Sequence, residues 1–168
     1  MESVTRVAPA EPADVAELAA VAAETFPLAC PPSAAPANIA LFIDANLSDT
    51  RFSEYLSDPQ RTILIAKQGD RIVGYTMVIR GAEDDRAELS KMYVLPAQHG
   101  SGVATALMYA ALAAVAEWHA AWVWLGVNQT NERAQRFYIK SGFTVSGTRT
   151  FQLGAHTEHD YVMVRPVP

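Results

Sequence analysis

The chain has 168 residues, of which half are hydrophobic and 18% are charged, as expected for one globular domain over residues 1–168. No apolar run approaches the roughly 18 to 20 residues of a membrane span, so we expect no membrane association. The 13 basic and 18 acidic residues give a formal charge of −5, which argues against nucleic acid as a partner. A single cysteine excludes an intramolecular disulfide and a multi-cysteine zinc site. The first residues do not resemble a secretory signal, so we predict a cytoplasmic protein. We also predict that the protein holds no metal.

The first part of the chain predicts one strand and a helical region. Residues 3–8 are typical of a strand, and residues 11–26 carry apolar side chains at helical spacing. Four prolines in residues 27–37 predict irregular backbone. Apolar residues return at helical spacing from Ile39 to Leu56. We therefore predict two helices between the first strand and the second.

The rest of the chain predicts strands and helices in alternation. Strands are expected at 61–81 (two, around a turn at Gln68–Asp70), 86–96 and 121–128, helices at 102–119 and 130–142, and an antiparallel strand pair at 143–166. Both faces of strand 121–128 are apolar, so we expect both to be covered. The order β-α-α-β-β-β-α-β-α-β-β predicts an α/β domain layered around a mixed sheet.

Strand 86–96 carries an irregularity in its pattern. Strict alternation would place Glu88 on the same face as Met92, yet the apolar residues Leu89 and Met92 are out of phase with each other. This mismatch predicts a β-bulge near residues 90–91. A bulge there would separate the strand from its neighbour and open a cleft.

The stretch V-L-P-A-Q-H-G-S-G-V-A-T-A-L at residues 94–107 joins a strand to a helix through two glycines. Gly100 and Gly102 permit positive φ, and without β-carbons they let a phosphate approach the free N–H groups at the start of the helix. Alone, the pair is as consistent with a tight turn as with an anion site. A P-loop would need lysine after Gly102, where Val103 stands, and the dinucleotide-binding fingerprint also fits poorly.

A second motif follows on the next strand and helix. The stretch N-E-R-A-Q-R-F-Y-I-K-S-G-F, residues 131–143, together with the glycine stretch, resembles the GNAT superfamily of N-acetyltransferases. The resemblance covers most of residues 61–165. It implies a mixed, mostly antiparallel twisted sheet flanked by helices. Shorter pieces, T-F-P-L-A-C-P-P, Y-L-S-D-P and E-L-S-K-M-Y-V-L-P among them, resemble the spermidine/spermine acetyltransferase-like subgroup.

The resemblance implies a function, a cofactor and partners. The expected reaction is direct transfer of an acetyl group from acetyl-CoA to a primary amine of a small, polyamine-like acceptor, with a homodimer left as an option. Two alternatives stay open: a non-catalytic domain that binds or senses acyl-CoA, and an acetyltransferase acting on protein N-termini or lysines. Residues 27–57 are expected to cover the acceptor site.

Three residues are assigned catalytic roles by the resemblance. Tyr138 is the candidate acid for the departing thiolate, the alternative being a tyrosine of the core. Glu88 is the candidate base, the alternative being a chain of water molecules. The backbone amide near Met92 is expected to face the oxyanion. Asn131 either contacts the pantetheine arm or only caps its helix.

The resemblance also implies a set of cofactor-binding residues: Met92, Tyr93, Val94, His99, Gly100, Ser101, Gly102, Val103, Ala104, Asn131, Ala134, Phe137 and Tyr138. His99 stands where the family usually has arginine or glutamine, so we expect reduced cofactor affinity.

Other charged or reactive side chains have two interpretations each. Arg133, Arg136 and Lys140 either meet the cofactor phosphates or form a solvated helix face. Cys30 is expected to be a packed residue and not a nucleophile. Four acids either form a negative pocket for a polyamine or are ordinary surface residues: Asp44, Glu54, Glu158 and Asp160.

Overall fold

The computed structural model describes residues 4–81 and 85–168. It contains seven strands, β1 (Thr5–Pro9), β2 (Arg61–Gln68), β3 (Arg71–Arg80), β4 (Arg86–Val94), β5 (Trp122–Asn128), β6 (Thr144–Leu153) and β7 (His156–Pro166). The helices are α1 (Val15–Ala29), α2 (Pro36–Asn46), α3 (Asp49–Ser57), α4 (Val103–Glu117) and α5 (Glu132–Lys140). None of the helices in these described ranges is both long and apolar enough to cross a membrane.

The seven strands form one sheet in the order β1-β2-β3-β4-β5-β7-β6. Neighbouring strands run antiparallel, except that β4 and β5 run parallel. Helices α1 and α3 pack on one face of the sheet, and α4 and α5 pack on the other. The predicted α/β architecture with a mixed, mostly antiparallel sheet is therefore confirmed.

The proline-rich segment is more regular than its composition predicts. Helix α1 runs through Pro27 and ends two residues later, and α2 begins at Pro36. Proline is tolerated at the first position of a helix because the N–H that it lacks would have no helical partner there. The prediction of irregular backbone over 27–37 is thus wrong at both ends of the segment. The predicted count of two helices is also wrong, because Ser48 caps a separate α3 by accepting a hydrogen bond from the amide of Arg51 at 3.2 Å.

The predicted turn and helix boundaries agree well with the structure. Gly69 has a φ of 60° in the turn between β2 and β3. The side chain of Asn131 caps α5 by accepting a hydrogen bond from the amide of Ala134 at 3.2 Å. Gly142, with a φ of 95°, follows the end of the same helix. These positions fix where α5 meets the sheet.

Strand β5 differs from its prediction. Its alternate residues Val123, Leu125 and Val127 are buried against α4 and α5. The opposite face carries Trp124 and Gly126, which are only half-buried. The expectation that both faces are covered is therefore wrong. That face is covered only in part, by the side chain of Arg149 on β6, which lies over Trp124 and against Gly126.

The predicted β-bulge is confirmed. Met77 and Val78 are consecutive on β3, yet they pair with Lys91 and Leu89 on β4, so Ser90 is the extra residue. After the bulge the apolar face resumes in phase, and Leu89 and Val94 both pack toward α4. The alternate residues Glu88, Lys91 and Tyr93 consequently lie on the α1 and α3 face.

Two tyrosines of the core differ in how their hydroxyls are satisfied. Tyr75 is fully buried, with Phe52 edge-on at 5.8 Å and Tyr93 stacked at 5.7 Å between ring centroids. Within the described residues, its hydroxyl has no hydrogen-bond partner. Tyr55 is also buried, but its hydroxyl donates to the carbonyl of Asn46 at 2.8 Å. The hydroxyl of Tyr75 is therefore desolvated without compensation, whereas the hydroxyl of Tyr55 is compensated by a hydrogen bond.

We expect removal of these two hydroxyls to have opposite effects on stability. Tyr75→Phe should raise the free energy of unfolding by about 1 kcal/mol, because it deletes a buried polar group without a partner, whereas Tyr55→Phe should lower it by about 1 kcal/mol. Urea denaturation of both variants and the parent protein measures the difference. Equal losses of stability in the two variants would contradict the contrast.

Candidate active site

The site is a cleft that opens where β4 and β5 part. Within the described chain the two strands pair only over Arg86–Glu88, with Glu88 opposite Trp124. The bulge at Ser90 follows immediately, and a cleft of about 490 Å³ opens beyond it. Because pairing stops there, the edge of β4 that faces β5 is available to a ligand.

Most of the predicted binding residues line this cleft. The lining includes Met92, Tyr93, Val94, His99, Gly100, Gly102, Ala104, Asn131, Ala134, Phe137 and Tyr138. Two predicted members have side chains elsewhere. The hydroxyl of Ser101 donates back to the carbonyl of Gln98 at 2.6 Å, and Val103 is buried in the core under β3. Only the backbone of these two residues is left to serve a ligand.

The glycine stretch forms the entrance to α4. Gly100 and Gly102 have φ values of 81° and 92°, and a β-carbon on either would meet no atom within 4 Å. Gly102 is the N-cap of α4, so the free N–H groups of the first helical turn follow it directly. The left-handed backbone explains why glycine is needed at both positions, and the open space beside them leaves room for a bulky anion.

His99 connects the glycine stretch to the far side of the cleft. One of its ring nitrogens, Nε2, lies 3.1 Å from the carbonyl oxygen of Val94 at the end of β4. The other, Nδ1, lies 2.6 Å from a terminal nitrogen of Arg133 on α5. Of the three basic residues considered on α5, Arg133 is the one that lines the cleft, while Arg136 and Lys140 lie on its exposed face.

Tyr138 and Tyr93 place two hydroxyl-bearing rings in the cleft wall. Tyr138 is 8% exposed and packs edge-on against Phe143 at 5.9 Å. Burial raises the pKa of the Tyr138 hydroxyl above its ordinary value. Burial also raises the pKa of Tyr93, and the nearby Tyr138, Cys30 and Asp160 raise it further. The resemblance pointed to the backbone of Tyr93, but its side chain faces the same space as Tyr138.

Three acids lie around the cleft at different depths. Asp160 and Glu158 on β7 line it, and Asp160 is only 5% exposed. Glu88 is half-buried and lies one residue before Leu89, the first residue of β4 in the lining. Burial raises the pKa of Glu88 even though the cations of Arg149, Lys91 and Arg61 act in the opposite direction. Burial likewise raises the pKa of Asp160.

Arg149 on β6 is a site residue that no sequence pattern singled out. Its Nε donates to a carboxylate oxygen of Asp160 at 3.1 Å, and its guanidinium lies over the ring of Trp124 at 5.4 Å. It also lies flat on Gly126, where a β-carbon would overlap the guanidinium. A lone glycine inside a strand is a known sign of close approach by another group. That signal was present at Gly126, but it does not say which group approaches.

The remaining predicted acids are separated from the cleft. Asp44 is exposed on α2, and Glu54 pairs with Arg51 at 2.9 Å on α3. From the segment expected to cover the acceptor site, the cleft is lined by Leu28, Ala29, Cys30 and Pro31. Within the described residues, His, Cys, Asp and Glu side chains form no group of three or more that could hold a metal ion.

Cys30 lies at the end of α1 and lines the cleft near Glu158. Its thiol contacts the carbonyl oxygen of Phe26 at 3.6 Å. Burial, with a further contribution from the charge of Glu158, raises the pKa of the thiol to about 11. A thiol with this pKa is protonated at neutral pH, which is the opposite of what a nucleophilic cysteine requires.

Comparisons with known proteins agree with this geometry. A sequence model described as the Acetyltransferase (GNAT) family matches residues 24–143. An uncharacterized N-acetyltransferase of Mycobacterium tuberculosis is 65% identical over 152 residues, which cover 90% of this chain and 97% of the relative. The PaiA N-acetyltransferase of Thermoplasma acidophilum, solved in complex with coenzyme A, superposes with a TM-score of 0.85 at 19% identity, covering 97% of this chain and 99% of that one. The ribosomal-protein-S18-alanine N-acetyltransferase of Escherichia coli superposes with a TM-score of 0.74 at 17% identity, covering 98% and 94%.

We expect Cys30 to react slowly with alkylating reagents in the folded protein. A pKa of about 11, against an ordinary 9.0, lowers the thiolate fraction at pH 8 by about 100-fold, and the higher intrinsic reactivity of a more basic thiolate recovers about 10-fold. Iodoacetamide labelling at pH 8, followed by mass spectrometry, should therefore be about 10-fold slower in native than in urea-unfolded protein. Because the chain has one cysteine, the unfolded sample is a direct control, and equal rates would contradict the prediction.

Proposed function

Because the chain belongs to the GNAT family of acetyltransferases, we propose that this N-acetyltransferase binds acetyl-CoA in the cleft between β4 and β5 and acetylates a primary amine of a small acceptor. The observation that carries this proposal is the position of the opening. The parallel strand pair ends at Glu88, and the cleft that opens beyond it is lined by both the glycine stretch and Tyr138. The coenzyme A bound to the Thermoplasma acidophilum neighbour supports the choice of cofactor.

The cleft residues fit a long thioester with a phosphate-bearing end. The backbone amides around Gly100 and Gly102 are suited to a pyrophosphate, since nothing lies within 4 Å of the β-carbon positions there. The open edge of β4 at Met92–Val94 offers backbone groups to a pantetheine arm, with Asn131, Ala134 and Phe137 on the opposite wall. Acetyl-CoA bound in this way would supply an activated acetyl group beside Tyr138.

We assign Tyr138 as the acid that protonates the departing sulfur. Its raised pKa keeps the hydroxyl protonated at neutral pH, as a proton donor requires. Its ring is held by Phe143, so the hydroxyl has a defined direction. We assign the backbone amide of Met92, on the unpaired edge of β4, to the oxygen that gains negative charge.

The base that takes the proton from the acceptor ammonium has two candidates. Glu88 lies at the last paired position below the opening, and a water molecule could carry the proton to it. Asp160 lines the cleft itself. Burial raises the pKa of both carboxyl groups, which makes both of them stronger bases than an exposed acid. We propose Glu88 as the base and Asp160 as the rival.

For the acceptor we propose a small cationic amine, with polyamines as the first class to test. Glu158 and Asp160 bring two acids to the acceptor end of the cleft. Arg149 pairs with Asp160 at 3.1 Å, whereas among the described residues Glu158 has only His156 at 3.7 Å, which is a cation only when protonated, so Glu158 is the more available negative charge. We further propose that residues 1–168 form a single catalytic domain that acts in the cytoplasm. A homodimer stays a prediction, which a measurement of the molecular mass in solution would test.

We expect Tyr138→Phe to lower kcat by about 100-fold, because the proton donor is removed while the aromatic packing is kept. The measurement is release of free thiol from acetyl-CoA with a panel of polyamines, amino acids, aminoglycosides and peptides. The dissociation constant for CoA should stay within about twofold, because phenylalanine keeps the ring contacts.

The same panel separates the alternatives. Thiol release with peptides alone would favour a protein acetyltransferase. Tight binding of acetyl-CoA without thiol release for any acceptor would favour a non-catalytic sensor. Wild-type turnover in Tyr138→Phe would remove this residue from the mechanism.

We expect Glu88→Gln to change the pH dependence of kcat/KM. A carboxylate base works only when deprotonated, so activity should fall as the pH drops through its pKa, and the raised pKa of Glu88 moves that fall to higher pH than for an exposed glutamate. Glu88→Gln should abolish this acid limb and lower kcat/KM by about 100-fold.

Asp160→Asn is the matched comparison for the pH profile. If Glu88 is the base, Asp160→Asn should keep the acid limb. Loss of the acid limb in Asp160→Asn with retention in Glu88→Gln would assign the base to Asp160 instead.

A further inference from the structure

The contact between His99 and Arg133 joins the two walls of the cleft at its mouth. His99 lies in the glycine stretch directly before Gly100, and Arg133 lies in the first turn of α5, 34 residues later in the chain. Both residues line the cleft. A hydrogen bond between side chains so far apart in sequence fixes the position of the guanidinium relative to Gly100 and Gly102.

The chemistry of the two groups determines the protonation state of the histidine. A guanidinium has only donors, so Nδ1 of His99 must accept the hydrogen bond from Arg133 at 2.6 Å. The proton of the neutral ring is then on Nε2, which donates to the carbonyl oxygen of Val94 at 3.1 Å. His99 therefore brings no charge of its own to the glycine stretch. It holds the charge of Arg133 there instead.

The charge of Arg133 has no acidic partner in the part of the chain that the structure describes. Within the described residues, no carboxylate lies within salt-bridge distance of its guanidinium. The histidine uses one donor of the guanidinium, and the rest of the group remains at the cleft mouth. Arg136 is the useful contrast, because it belongs to the same helix but lies outside the cleft lining.

We propose that Arg133 binds a phosphate group of the cofactor and that His99 is the residue that positions it. The chain would in this way supply, from α5, the cation that is missing at position 99 of the glycine stretch. The amides of the stretch and one guanidinium would then hold the phosphate from two sides. The proposal rests on the cofactor half of the proposed function.

The first test is the effect of Arg133→Gln on cofactor binding, measured by calorimetry on the full chain without acceptor. We expect the dissociation constant for CoA to rise by about 10-fold, because a charge-assisted hydrogen bond to phosphate is lost. Binding of pantetheine, which has no phosphate, should be unchanged when followed by ligand-observed NMR. The matched control Arg136→Gln should change the dissociation constant for CoA by less than about twofold.

Ligands with fewer phosphates identify which group Arg133 meets. If the loss of affinity is the same for CoA and 3′-dephospho-CoA, the contact is with the pyrophosphate. If the loss disappears with 3′-dephospho-CoA, the contact is with the ribose 3′-phosphate. A loss that is equally large for pantetheine would overturn the proposal, since it would show a general disturbance of the cleft.

A double-mutant cycle tests the positioning role of His99. His99→Ala alone should weaken CoA binding by about 3- to 10-fold, and in the Arg133→Gln background it should add less than about twofold, because both changes remove one shared interaction. Fully additive losses would overturn the positioning role. All variants alter exposed side chains, so their folding can be checked by circular dichroism.

The results also separate this inference from the proposed function. A parent protein that does not bind CoA would contradict the proposed function itself. If the parent protein binds CoA and Arg133→Gln binds it with the same dissociation constant, only the role of Arg133 is contradicted.

Discussion

The extra residue at Ser90 is the constraint on which the site depends. A regular β4 would continue to pair with β5 beyond Glu88, and the sheet would then be closed where the cleft now lies. The bulge also returns Leu89 and Met92 to the same face, so α4 keeps its apolar contacts on both sides of the irregularity. The one extra residue in β4 therefore opens the cleft without removing apolar contacts between the sheet and α4.

The charges around Glu88 illustrate how the effect of burial on a pKa can outweigh that of neighbouring cations. Glu88 faces Arg149, Lys91 and Arg61, each of which favours its ionised form, yet its pKa is raised. The same burial lowers the pKa of Lys91 to about 8. Desolvation therefore exceeds the attraction between partly separated charges, as is usual when no direct hydrogen bond joins them. Where a direct bond does exist, between Arg149 and Asp160, burial still dominates the pKa of the acid.

The features of the fold and the site that the sequence predicts are those that depend on residues close together in the chain. The positions of the strands, the cap of α5 and the bulge follow from alternation, a capping side chain and out-of-phase apolar residues, all of which are short-range patterns. The irregular backbone predicted over residues 27–37 is wrong at Pro36 because proline is favoured at the first position of a helix, whatever the composition around it. The place of Arg149 could not be predicted, since it depends on Asp160 from another strand, and the sequence offered Arg133 with two other basic residues but not its contact with His99. The glycine at position 126 indicates that another group lies close to the backbone of β5, but it does not identify that group as Arg149.

A series of aromatic rings connects the core to the wall of the cleft. Tyr75 stacks on Tyr93, which contacts Phe26 at 6.4 Å between ring centroids, and Phe26 stacks on Phe42 at 4.4 Å. Phe42 in turn meets Phe151 at 5.1 Å, so rings from β3, β4, α1, α2 and β6 are joined in sequence. Three of these rings, those of Phe26, Tyr93 and Phe151, line the cleft. Because Tyr75 is fully buried and Phe42 packs against the core, this wall of the cleft is held by the packing of the core and is preorganised for a ligand.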